Sequence, residues 1–460
     1  MKKGSSLKSK LSYGIGAVGL DLSYGMFYSF LAKYLTDILH LNKKFLLVLT
    51  PIARIWDGIN DPLMGTIVDN TNTKMGKYRP WILIGSFSNA VVLSLLFTNP
   101  GFRPGGIPLY IYVAILYIFW GMTNTMADIP YWSMVPSFTN DPKERNMIAT
   151  VARTFSGLGQ GIISIGTPMV LPLLSETVVN GEKVYDARGF SLWAIICACA
   201  LVGFSSLSVA LTKEKHVTSS KEKFTFKKMF SIAKNNDQLL VFMLFAMLSN
   251  AGWYMVSGVG VYYFDVVAGD PAKQSAFNTF GAIGSVLGLL VIPVMTKFTS
   301  RRRTYQFSLL LAIFGFVAMA LSVKIFNSYL LMNIFYVLAS VGIASMFVAQ
   351  TVFLADIVDY GEVKQGFRSE SITFSMKGFL QKMAYTIQTI ILFAGLDISK
   401  YNENLHAQNS EAVKGAIDFM MLTAPVILLV LSFIIFTARF KLHGEYMDKI
   451  NAALKKGNEE

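Results

Sequence analysis

KEKHVTSSKEKFTFKKMFSIAKNN, residues 213 to 236, is a basic polar stretch in a chain otherwise built from apolar runs. It holds Lys213, Lys215, Lys221, Lys223, Lys227, Lys228 and Lys234 against Glu214 and Glu222. A membrane-crossing helix needs roughly 20 largely apolar residues. By that measure the expected spans are 11–36, 43–68, 80–99, 107–134, 148–174 and 189–211 before this stretch, and 237–264, 275–297, 304–324, 328–355, 372–396 and 416–438 after it. Basic loops stay in the cytoplasm, which places 213–236 there. The other even-to-odd loops agree, with Lys74, Lys77 and Arg79, then Lys143 and Arg145, then Lys297 and Arg301 to Arg303. Odd-to-even loops are poorer in basic residues or balanced by acids, as in Glu176, Glu182, Lys183, Asp186 and Arg188. The expectation is an all-α membrane protein with twelve transmembrane helices and both termini cytoplasmic. It has two six-helix bundles, 1–212 and 237–438, a middle loop at 213–236 and a cytoplasmic tail at 439–460.

Composition excludes several classes. Only 15% of residues are charged, against roughly 25% in a soluble domain, and mean hydropathy is +0.48. The net charge of +13 resides in alternate loops rather than on one face, so no nucleic-acid partner is expected. Cys197 and Cys199 share one apolar run and can build neither a disulfide framework nor a zinc site. Lys2, Lys3, Lys8 and Lys10 before an apolar run mimic a signal peptide. That run, however, carries Asp21, extends past Tyr34 and lacks a cleavage site, so it reads as a retained span. Neither a carbonyl filter nor a ring of like charges suggests a channel. His40, His216, His406 and His443 all fall outside the spans and no hydrolase motif occurs, so no enzyme and no cofactor are expected.

Ionisable groups inside a span are costly and normally face a cavity or a partner. Asp21, Arg54, Asp57, Asp61, Asp128, Arg153 and Lys382 are such groups. Asp57, Asn60 and Asp61 lie three or four residues apart and therefore share one helical face. Repulsion between the two acids can be relieved by a proton, by a hard cation that prefers oxygen ligands, or by Arg54 or Lys382. Thr125 can add a hydroxyl oxygen, and a fixed internal salt-bridge cluster is the bland alternative. Asp21, Asp128 and Arg153 suit a polyhydroxylated ligand, because carboxylates accept hydroxyl protons and a guanidinium donates through its fork. Trp132, one turn after Asp128, offers an aromatic face to a sugar ring or belongs to the interfacial belt.

Six plus six spans around a charged linker is the layout of major facilitator transporters. The turn after the second span, Gly65-x3-Asp69-x4-Lys74-x-Gly76-Lys77-x-Arg79, comes close to the signature of that superfamily, and Arg301 to Arg303 occupy the equivalent place in the second half. More specifically, five segments in order resemble the glycoside–pentoside–hexuronide:cation symporters, the melibiose permease group. They are Leu11-Ser-Tyr-Gly14, Ala53-Arg-Ile-Trp-Asp57-Gly-Ile-Asn60-Asp61-Pro62, Gly76-Lys-Tyr-Arg-Pro-Trp81-Ile-Leu-Ile-Gly85, Asp128-Ile-Pro-Tyr-Trp132-Ser-Met-Val-Pro136 and Ala355-Asp-Ile-Val-Asp359-Tyr-Gly-Glu362.

The resemblance implies a cell-membrane symporter that carries a galactoside or related glycoside with Na⁺, Li⁺ or H⁺ by alternating access, and that works as a monomer in lipid. It implies a cation site at Asp57, Asn60, Asp61 and Thr125 with Lys382 nearby, Asp57 and Asp61 being the ligands of a metal cation if one is used. It further implies a sugar-contacting set of Asp21, Asp128, Trp132 and Arg153. Asp69, Arg145, Asp356, Asp359 and Glu362 are expected as a breakable cytoplasmic lock. The chain departs from the group at Leu20, Asn124, Phe347 and Gly378, all on the sugar side, which leaves open a xyloside or larger oligosaccharide. A non-transporting sugar sensor on the same fold is the more distant alternative.

Overall fold

The computed structural model describes residues 7–138, 142–179, 182–183, 185–214, 234–366 and 370–457. Most of the middle loop thus lies outside the described residues. Helix α1 (Leu7–Gly25) continues through a π-helical turn (Met26–Phe30), a short α2 (Leu31–Lys33) and a second π-helical turn (Tyr34–Ile38). Then come α3 (Lys43–Asp69), α4 (Arg79–Leu96), α5 (Ile107–Ser133), α6 (Pro142–Leu174) and α7 (Ala187–Leu211). Beyond the middle loop are α8 (Asp237–Tyr262) with its own π-helical turn (Tyr263–Val267), α9 (Lys273–Phe298), α10 (Arg301–Lys324), α11 (Tyr329–Gln365) and α12 (Glu370–Ile398). The last span is α13 (Glu411–Asp418), a π-helical turn (Phe419–Thr423) and α14 (Ala424–Arg439), followed by α15 (Gly444–Gly457).

Eleven helices among the described residues are long and apolar enough to cross a membrane. The second expected span is absent from that set. Helix α3 has the length, but Arg54, Asp57 and Asp61 in its middle depress its hydropathy. The described residues are all-α as expected apart from one small loop feature. Val178–Val179 and Glu182–Lys183 form a two-residue antiparallel pair (β1 and β2) in the loop after α6.

The chain forms two compact units, Met1–Lys223 with Asn402–His406, and Phe224–Tyr401 with Ala407–Glu460. In the first, α1 packs against α6 and α7, α4 against α5 and α7, and α3 against α5. In the second, α8 packs against α12 and α14, α10 against α11 and α14, and α9 against α11. These are the same five pairings advanced by six spans, so each unit is a copy of one helix arrangement. A close approach repeats too. A Cβ on Gly85 would stand 2.5 Å from the backbone nitrogen of Ala127, and one on Gly315 would stand 2.5 Å from that of Ala339. Small residues let helix backbones close together in lipid, where dispersion rather than hydrophobic burial drives association.

The turn between α3 and α4 shows what its residues do. Glu214, at the start of the middle loop, accepts hydrogen bonds from the backbone N–H groups of Lys77, Tyr78 and Arg79 at 2.8, 2.9 and 3.0 Å. It thereby satisfies donors that a helix N-terminus leaves open. Gly76 has φ +109°, and a Cβ there would meet the Glu214 carboxyl at 2.6 Å. Lys77 pairs with Asp69 at 2.6 Å, and the Arg79 guanidinium donates to the Val209 carbonyl at 2.8 Å.

Candidate functional site

Helix α3 starts cleanly because the Asn42 side chain accepts from the Lys44 N–H at 2.8 Å. Its middle carries the acids. Asp57 is 3% exposed and accepts from Arg54 Nη1 at 2.5 Å, one turn earlier on the same helix. The other Asp57 oxygen lies against α5, where a Cβ on Gly121 would stand 2.4 Å from it. Asp61 accepts the Thr125 hydroxyl of α5 at 2.8 Å. The Asn60 amide has its Nδ2 buried without a hydrogen-bond partner. Since amide oxygen and nitrogen exchange by a flip, that position can equally present a carbonyl oxygen. Carboxylate, amide and hydroxyl oxygens thus meet at the α3–α5 contact, the donor set that suits a hard monovalent cation or a proton.

Arg54 is itself enclosed. Its guanidinium lies 5.1 Å from the Tyr28 ring centroid, 5.7 Å from Phe27 and 5.9 Å from Tyr117, and it donates to the Tyr28 hydroxyl at 2.8 Å. Phe27 in turn stacks on Trp120 at 3.5 Å. Ser23, Asn89, Thr123 and Trp120 then close a hydrogen-bonded ring behind this box, with Ser23 to Asn89 at 2.5 Å and Asn89 to Thr123 at 3.1 Å.

The sugar-side residues also gather. Trp132 Nε1 donates to Asp128 at 2.9 Å, and the Arg153 guanidinium sits 3.7 Å from the centroid of the Trp132 ring. Asp21 lies near Ser156 and in the field of both Asp128 and Arg153. Helix α6 comes this close because Gly159 lies 2.7 Å, measured from where its Cβ would be, from the Val18 carbonyl. Tyr13 and Tyr131 stack at 4.4 Å and exchange hydrogen bonds with each other's carbonyls, fixing α1 against α5 one turn away. Two acids, a guanidinium and an indole on three helices thus form one polar patch.

The family model described as MFS/sugar transport protein matches residues 12–444. The chain belongs to that family. It is therefore a multi-span membrane sugar transporter and not an enzyme. The chain is similar to the lactose permease of Lactobacillus helveticus, 28% identical over 99% of this chain and 73% of that protein. It is also similar to the isoprimeverose transporter of Lactiplantibacillus pentosus, 29% identical over 91% and 85%. Among solved structures it resembles the nucleoside transporter NupG with a TM-score of 0.65 at 12% identity, over 94% of this chain and 100% of that one. That likeness concerns the fold.

Within this member of the MFS/sugar transport proteins, the remaining expected site residues divide by unit. Lys382 belongs to α12 of the second unit, with its carbonyl accepting from Thr386 at 2.9 Å. Of the expected cytoplasmic lock, Asp69 pairs with Lys77 and Asp356 with Arg301 at 2.7 Å, each inside its own unit. Asp359 and Glu362 lie on α11, and the Arg145 side chain lies outside the described residues.

Sequence reading missed two features. Lys33 and Asp37 form a buried ion pair at 2.7 Å, with the Thr36 hydroxyl donating to Asp37. Their i, i+4 spacing was the available signal. The aromatic box around Arg54 had none, since Tyr28 and Tyr117 meet only when α1 and α5 pack.

Proposed function

We propose that the chain is a glycoside:cation symporter, with the cation held between α3 and α5 and the sugar by the α1–α5–α6 patch. The observation that carries this reading is the pair of acids on α3, bridged to α5 by Thr125, one turn below Asp128 on that same helix. A hard cation or proton at Asp57, Asn60, Asp61 and Thr125 changes the charge beside α5. That favours one arrangement of the helix that also bears Asp128 and Trp132. By linkage, sugar then raises cation affinity by the factor by which cation raises sugar affinity. Na⁺, Li⁺ and H⁺ all fit two carboxylates, an amide and a hydroxyl.

In this proposal Asp21, Asp128, Trp132 and Arg153 contact a galactoside such as melibiose or lactose, and Lys382 adjusts the charge near the acids. α3 crosses the membrane as the second of twelve spans, both termini are cytoplasmic, and the protein acts as a monomer in the cell membrane lipid. Asp69, Arg145, Asp356, Asp359 and Glu362 exchange partners as the two six-helix bundles alternate in access. The relatives' names support both a disaccharide and a different glycoside such as a xyloside.

The test is uptake by sealed vesicles of radiolabelled melibiose, lactose, isoprimeverose and methyl β-xyloside, each with and without imposed Na⁺ and H⁺ gradients. Gradient-driven accumulation of at least one unmodified sugar is expected. Equal uptake under every gradient would refute cation coupling.

A further inference from the structure

The repeat in the fold gives the polar patch of the first unit a counterpart in the second. Asp21 precedes Tyr34, the residue that opens the π-helical turn of the first span, by the same interval at which Asn250 precedes Tyr263, which opens that of the seventh. Asp21 faces the fifth span, α6, and the pairing equivalent to α1–α6 is α8–α12. Asn250 is 3% exposed and its Oδ1 is buried without a hydrogen-bond partner.

On the facing helix, Gln388 is 1% exposed, and both its Oε1 and its Nε2 are buried without one. Its amide fills the space that a side chain at residue 258 would take, because a Cβ on Gly258 would stand 2.3 Å from Nε2. Between these two positions the Tyr254 and Tyr385 rings meet edge to face at 6.2 Å. The contacts Tyr254 to Tyr385 and Gly258 to Gln388 run in the same order along both helices, so α8 and α12 are parallel here.

An amide left unsatisfied at both ends inside a membrane helix pair is costly unless something supplies its partners. A primary amide donates and accepts in one plane, which matches two adjacent hydroxyls of a sugar ring. We infer that the α8–α12 seam is a second sugar-contacting surface, in which Gln388 hydrogen-bonds a pair of glycoside hydroxyls and Asn250 accepts from a further one. Gly258 leaves the room that the Gln388 amide occupies. The inference rests on the symport reading above, and its substrate class is a glycoside with vicinal hydroxyls.

Equilibrium binding of melibiose, lactose, isoprimeverose and methyl β-xyloside to the purified full-length protein tests it, with the wild type set beside Gln388→Leu and Gly258→Ala. Gln388→Leu removes the orphan amide at similar size. Gly258→Ala pushes a methyl group into the place of Nε2. Both should weaken binding of the accepted sugars about tenfold. Sugar-free Gln388→Leu should unfold at the same temperature as the wild type or higher, because no unsatisfied amide remains.

That combination of lost affinity and kept or gained stability separates a binding role from a structural one. Sugar binding by Gln388→Leu within twofold of the wild type would overturn the inference and leave the symport reading standing. So would a sugar-free Gln388→Leu protein that unfolds well below the wild type, since the amide would then serve the fold. Failure of the wild type to bind any of the four sugars would overturn both.

Discussion

Asp57 and Asp61 stand about one turn apart on α3, yet packing gives them different neighbours. Asp57 is held by Arg54 and wedged against Gly121, whereas Asp61 takes the Thr125 hydroxyl. Their roles should separate accordingly. Asp61→Cys is expected to abolish cation-driven accumulation while sparing some cation-independent sugar binding, measured by uptake and equilibrium binding on the same preparations. Arg54→Ala leaves a buried carboxylate without its guanidinium, a change that typically costs about 3–5 kcal/mol. Its thermal unfolding midpoint should fall clearly, and an unchanged midpoint would show that Asp57 is otherwise satisfied. Asp128→Cys should remove sugar binding. The acids were legible in the sequence because a charge inside an apolar run is conspicuous. Gly121 was not, because its importance is the space it leaves for an atom on another helix.

At the scale of elements, helix ends were harder to read than helix bodies. Asp186 appeared in the sequence only as a charge balancing Arg188, but it organises the start of α7. Its Oδ1 accepts from Gly189 N–H at 2.8 Å, and its Oδ2 accepts from the N–H groups of Glu176 and Thr177 at 2.8 and 3.0 Å. Burial works to raise its pKa, but these N–H donors and the Thr177 and Ser175 hydroxyls outweigh it and hold the carboxyl below its usual 3.8. A depressed folded pKa means that the contribution is present in full above the unfolded value and is lost as pH falls through the folded one. Asp186→Ala should therefore lower stability by about 1 kcal/mol near neutral pH. The gap to the wild type should persist down to roughly pH 4 and close below it, as thermal unfolding at a series of pH values would show. Helix α3 is the converse case. Its helical body was legible, but the charges in its middle keep it out of the set of helices apolar enough to cross a membrane.

Across the whole molecule, the repeat of five helix pairings makes equivalent positions comparable. Gly85 and Gly315 occupy matching close contacts, so Gly85→Ala and Gly315→Ala should each cost about 1–3 kcal/mol through overpacking, seen as similar drops in unfolding temperature. Unequal drops would show that one unit tolerates separation of its helices better than the other. The sequence by itself determined the order of the long helices, the charges lodged within them and the family. Hydropathy, basic loops and motif spacing are local properties written along the chain. Only the tertiary structure decided which groups became partners: Arg54 with Asp57 inside an aromatic box, Thr125 with Asp61, Glu214 on the N-terminus of α4, and an orphan amide at Gln388. Each of those depends on how near two helix backbones come, and that nearness is set by packing between residues far apart in sequence.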